Sequence, residues 1–120
     1  MITIFGKELR KLRIEHQLKM TDMANALGVS SAYLSAIEHG KRKIPVHLID
    51  QLTHLYTLSE SEEHKLRLAK EAMIDTITIP LKGLSDTRRL MILEIVNAIQ
   101  TASDETLQKV LQILETHRKE

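Results

Sequence analysis

Three adjacent cations, Lys41-Arg42-Lys43, close a stretch that opens at Met20 and holds Gly28, Ser30, Ser31, Ala32, Tyr33, Ser35, Ala36 and His39. A short run of cations is suited to phosphate oxygens, and a helix whose outer face is small or polar enters a major groove without clashing. The chemistry on offer is therefore recognition of a polyanion. Covalent chemistry has no comparable support. Cysteine is absent, which removes a thiol nucleophile, a disulfide framework and a cysteine-based zinc site. No glycine-rich phosphate loop, nucleophile elbow or His-Glu-x-x-His occurs. His47 and His54 fall on one face of a predicted helix, but the seven-residue separation is about 10.5 Å. That is too far for one ion ligated at about 2 Å per bond. His16, His64 and His117 are scattered along the chain. No enzyme, metal or cofactor is expected.

The elements that must position the cations can be read from periodicity and punctuation. Phe5, Leu9 and Leu12 recur at helical spacing and give a first helix. Met20, Met23, Ala24 and Leu27 give a second, stopped by Gly28, since glycine takes positive φ without steric cost. Ser30 is placed to cap a third helix running to about His39, with Leu34 and Ile37 inward and Gly40 as its stop. Val29, Leu34 and Ile37 would bury that helix against the first two, and Ala24 is small where two helices must cross closely. Its outer face is then Ser31, Ala32, Tyr33, Ser35, Ala36 and His39. Pro45 suits the first turn of a fourth helix, carried on by Leu48 or Ile49, Leu52 and Leu55. Ser59-Glu60-Ser61-Glu62 reads as a capping box opening a fifth, through Leu66, Ala69 and Met73.

The character changes near residue 75. Thr76-Ile77-Thr78-Ile79 alternates and is β-branched, so a short strand or extended linker is expected, punctuated by Pro80 and Gly83. Ser85 then caps a sixth helix over 86–100. Its apolar residues, Leu90, Met91, Ile92, Leu93, Ile95, Val96, Ala98 and Ile99, surround most of its circumference, a pattern of helices covered on more than one side. Ser103 caps a seventh helix with the stripe Leu107, Val110, Leu111 and Leu114. Asp104 and Glu105 at its start, and Arg118 and Lys119 at its end, complement the helix dipole. A domain at 1–74 followed by a helical region at 75–120 is expected. A second subunit is the expected cover for the sixth and seventh helices, through Leu90, Leu93, Val96, Ile99, Leu107, Leu111 and Leu114.

Charge follows the same division. Residues 1–43 hold eight Lys or Arg and four acids, a balance of +4, and the remainder is at −3. Scarce aromatics and abundant Leu, Ile, Ala, Lys and Glu favour helix over sheet. The start of the chain lacks the pattern of a secretory signal, and no apolar run approaches the roughly 20 residues of a membrane helix. A soluble, cytoplasmic protein is expected.

Residues 4–58 resemble the helix-turn-helix domain of the Cro/repressor (Xre-type) family. The resemblance rests on Leu9-Arg10-Lys11-Leu12-Arg13, Ala24, Leu27-Gly28-Val29-Ser30, Tyr33-Leu34-Ser35 and Ile37-Glu38-His39-Gly40-Lys41-Arg42. It implies an all-α, five-helix, lambda-repressor-like domain that reads double-stranded operator DNA, here followed by the extended linker and two C-terminal helices. It also implies that Arg13 pairs with Glu38, tying the first helix to the third. Ser31, Ala32 and Ala36 then match base-facing positions, and Ser30 and Lys41 match phosphate-contacting ones. Two departures stand out. Met20 occupies the place of a phosphate-binding glutamine, which moves that contact to Lys19 or Thr21. The base-facing positions hold no Arg, Gln or Asn, which leaves readout to Tyr33, Ser35, thymine-methyl contacts and DNA shape. The implied function is a dimeric repressor that controls its own operon. The alternative is an antitoxin whose C-terminal region holds a toxin.

Overall fold

The computed structural model describes residues 1–118, and every regular element among them is a helix. The order is α1 (Ile4–Glu15), α2 (Met20–Leu27), α3 (Ser31–Glu38), α4 (Leu48–Tyr56), α5 (Glu60–Glu71), α6 (Asp86–Ile99) and α7 (Asp104–Thr116). The chain divides into a unit of Met1–Ile77 and a second unit that begins at Thr78.

Local chemistry sets most boundaries of the first unit. The Thr3 hydroxyl accepts the Gly6 N–H at 3.0 Å and opens α1. Ser30 accepts from the Tyr33 N–H at 3.0 Å and opens α3. Ser59 and Glu62 form a reciprocal capping box at the head of α5, each side chain accepting the other's backbone N–H. Four helices end alike. Leu18, Val29, Lys41 and Leu58 donate back to the carbonyls of Arg13, Ala24, Ala36 and Thr53, and the residue before each is left-handed: Gln17 at φ 55°, Gly28 and Gly40 at 73°, Thr57 at 48°. The first and second stops reverse the chain on either side of α2. The third releases the chain from α3 into the cationic loop.

One core joins the five helices. Phe5, Leu9 and Leu12 of α1 meet Met23 and Ala24 of α2, Leu34 and Ile37 of α3, Leu48, Ile49 and Leu52 of α4, then Leu58, Leu66 and Ala69. α1 lies against α3 and α5, α2 against α3 and α4, and α4 against α5.

Three expectations fail at helix ends. Pro45 precedes α4 rather than opening it, because the Leu48 N–H closes a turn onto the Pro45 carbonyl at 3.1 Å. Leu55 is exposed. Thr57 ends α4 in a left-handed conformation, and the Leu58 N–H returns to the Thr53 carbonyl, so Leu58 takes the core position. Met73 lies beyond the end of α5 and is also exposed. The alternating stretch at 76–79 forms no strand: its residues are exposed and outside regular structure.

In the second unit, Ser85 and Ser103 cap α6 and α7 by accepting the N–H groups of Arg88 and Thr106. Arg118 stands past the His117 cap rather than within the last turn of α7, and Lys119 lies outside the described residues. No described residue of this unit is buried.

Candidate nucleic-acid interface

The α2–α3 pair is anchored by a buried ion pair. Arg13 Nη1 and Nη2 reach Glu38 Oε2 and Oε1 at 2.5 and 3.1 Å. Glu38 is fully buried and Arg13 nearly so. The two parallel bonds are the bidentate arrangement that a guanidinium plane offers a carboxylate. Arg10 adds a third nitrogen, its Nε 3.6 Å from Glu38 Oε1. The Glu38 carbonyl is used as well, accepting the Thr3 N–H and hydroxyl, both at 3.0 Å. The end of α3 is thus bolted to the start of α1 through both side chain and backbone.

Gly6 makes that junction possible. A β-carbon placed there would lie 2.2 Å from the Glu38 carbonyl oxygen, so only glycine permits the approach. Thr3 and Gly6 have no role in the sequence reading, and Arg10 enters only through the Leu9–Arg13 run, not as a partner of Glu38. The one available signal was an isolated glycine inside a helical pattern, which marks a close contact.

The rest of α3 is arranged around this anchor. Leu34 and Ile37 face inward and are buried. Ala32 is exposed, while Ser31, Ser35 and Ala36 are half-exposed. Tyr33 is half-buried, its ring resting on the core. His39 folds back along the helix, its Nδ1 2.8 Å from the Ser35 carbonyl, so it closes the C-terminal turn and leaves Nε2 for any outward contact. The Ser30 hydroxyl accepts the Tyr33 N–H on one lone pair and keeps its proton to donate.

Lys19 and Thr21 are exposed at the head of α2, where the Asp22 side chain accepts the Lys19 N–H at 2.8 Å. Met20 packs against the core, which accounts for an apolar residue at that place. Lys41, Arg42 and Lys43 are all exposed directly after the Gly40 stop. The small outer face of α3 and the three cations therefore follow one another along a continuous stretch of backbone. Leu90, Leu93, Leu107, Leu111 and Leu114 are exposed in the second unit, and Val96 and Ile99 are half-buried there.

Two short helices, joined by a tight glycine turn and held by a third through a buried ion pair, define a helix-turn-helix domain. The family model described as "Helix-turn-helix domain" matches residues 4–66, and the chain belongs to that family. Over 41 residues the chain is 49% identical to the HTH-type transcriptional repressor RghR of Bacillus subtilis (strain 168), a match covering 34% of this chain. The chain spans only 30% of the length of that relative. No solved structure matches.

Proposed function

We propose that this protein is a DNA-binding transcriptional regulator that represses by occupying operator DNA as a homodimer. The observation that carries the reading is the continuity of the small outer face of α3 with the exposed cations Lys41, Arg42 and Lys43. α3 enters the major groove through Ser31, Ala32, Ser35 and Ala36, with Tyr33 and His39 at its border. Lys19, Thr21, Ser30 and the cationic loop take the flanking phosphates. The likeness to a transcriptional repressor over 41 residues supports regulation as the outcome.

Dimerisation is assigned to α6 and α7. Leu90, Met91, Leu93 and Ile95 on α6 and Leu107, Leu111, Ile113 and Leu114 on α7 are exposed, an excess of bare aliphatic surface for two helices. Helices with no buried residue gain too little from burial to offset the entropy of ordering them. A second copy covers these faces and brings two recognition helices about one DNA turn apart. The same bare faces support a second reading, an antitoxin whose partner toxin takes the place of the second copy.

Footprinting on the DNA upstream of its own gene, repeated across a salt series, tests the regulator. Two protected half-sites and a steep loss of affinity with salt are expected. No salt-sensitive binding to any duplex would overturn the reading. Light scattering of the full chain separates the two occupants: a dimer supports the first, whereas a monomer that co-purifies with a neighbouring gene product supports the second.

A further inference from the structure

Beside the loop after α3 lies a concavity of about 360 Å³ that the functional reading above leaves unused. It is lined by Lys41, Arg42 and Lys43 on one side and by Lys70, Met73 and Ile74, from the end of α5 onward, on the other; Gly40 and Ile44 complete it. Four of its eight lining residues are cations and none is an acid. Elsewhere in this unit four of the seven Lys and Arg side chains meet carboxylates: Arg10 and Arg13 share Glu38, Lys11 meets Glu8, and Arg67 meets Asp50 and Glu63. Among the described residues no carboxylate pairs with Lys41, Arg42, Lys43 or Lys70. Like charges gathered without counter-charges raise the local potential and hold a polyanion. The depression continues directly from the C-terminal stop of α3, so an anion along it belongs to the same ligand that α3 meets. Lys70 is half-buried and lines the concavity together with the apolar Met73, Ile74 and Ile44.

We propose that Lys70 and the 41–43 loop form one cradle for the DNA phosphate backbone, which carries the contact from the recognition helix onto the end of α5. The inference rests on the DNA-binding reading and adds to it a residue from an element outside the helix-turn-helix pair. A backbone contact carries no base information, so its loss weakens binding to all sequences alike.

The test compares the full chain with Lys70→Gln on an operator-bearing duplex and on a scrambled duplex across a salt series. Lys65→Gln, an exposed α5 lysine outside the concavity, controls for net charge. Lys70→Gln is expected to weaken binding to both duplexes by about five- to tenfold at 0.1 M salt and to lower the salt slope by about one. Lys70→Arg restores both. Three results would overturn the cradle while leaving DNA binding intact. One is an unchanged slope in Lys70→Gln. Another is an equal loss in Lys65→Gln, which makes the effect one of diffuse charge. The third is a failure of Lys70→Arg to restore the slope, which makes the effect one of structure rather than of charge. Absence of salt-sensitive binding in the unmodified protein would instead overturn the DNA reading itself.

Discussion

Replacing Arg13 by methionine isolates the buried anchor beneath α3. The substitution keeps an apolar, unbranched stem, shortens the side chain and removes the charge. Glu38 is then a carboxylate with no exposure to solvent and without its bidentate partner. Leaving one member of a buried pair unpaired costs about 3–5 kcal/mol. Arg10 moderates the loss, but it is 49% exposed and 3.6 Å away, so its screened attraction returns no more than about 1 kcal/mol. The expected cost is about 3 kcal/mol. A unit the size of Met1–Ile77 holds about 4–12 kcal/mol in total, so the variant is severely weakened. Its thermal midpoint drops by about 12–24 °C. Urea unfolding of the full chain, followed by far-ultraviolet circular dichroism, measures this directly. Arg13→Met/Glu38→Leu completes the cycle and recovers most of the loss, since both buried charges are gone. A single-variant cost below about 1 kcal/mol, the behaviour of a surface ion pair, would refute the reasoning. A double variant equal to the sum of the singles would refute it too.

Gly6→Ala is expected to cost about 1–3 kcal/mol, because its β-carbon meets the Glu38 backbone. Gly28→Ala has open space and pays only for the left-handed backbone, about 1–2 kcal/mol; urea midpoints of the two variants rank them. Tyr56→Phe is expected to be neutral or stabilising in thermal melts, because its buried hydroxyl has no hydrogen-bond partner, and burial with the nearby Asp22 charge pushes the phenol upward. The Glu62 carboxyl is held below its ordinary 4.5 by the Ser59 N–H and then by His16, whose Nε2 lies 2.7 Å away. A depressed carboxyl contributes stability that is complete above the ordinary value and lost as pH falls through the folded one. Glu62→Gln should therefore flatten the acid limb of stability below about pH 4.5 in a pH series of urea midpoints.

Elements were legible where their cause is local. Ser30, Ser59, Ser85 and Ser103 each cap the helix expected of them, because a hydroxyl meets an N–H three residues on. Gly28 stops α2 for an equally local reason. The errors at Leu55 and Met73 share another origin. Apolar periodicity runs up to or past a helix end there: Leu55 sits in the last turn of α4, Met73 lies beyond α5, and the core position expected of Leu55 passes to Leu58 through a left-handed Thr57. Pro45 misleads differently, because a ring suited to a first helical turn sits just ahead of α4 instead. No pattern of residue types announces a left-handed threonine. Gly6 was hidden for a further reason: its partner is the Glu38 backbone, far along the chain. The small outer face of α3 could be read from spacing. The concavity shared by the 41–43 loop and Lys70 could not, since it exists only once α5 has packed against α1 and α4.

The composition of that outer face constrains how a DNA-bound α3 distinguishes sequences. Ser31, Ala32, Ser35 and Ala36 provide two methyl groups and two hydroxyls, with no side chain able to make a bidentate base contact. Apolar contact with thymine methyls and DNA shape are the remaining sources of discrimination. Chemical substitution within the operator separates them. Replacing thymine by uracil removes one methyl and keeps every hydrogen-bonding edge. Burial of a carbon of that size is worth about 0.8 kcal/mol, so each contacted thymine should cost about fourfold in Kd. Inosine in place of guanine leaves the major-groove pattern intact and alters the minor groove, so a change in Kd there reports shape. Both replacements should be felt in the bound half-sites. Replacing guanine by 7-deazaguanine removes a major-groove acceptor and should have little effect. The opposite outcome, binding indifferent to the first two and lost with the third, would mean that a bidentate reader from outside this face, Arg42 foremost, carries the recognition.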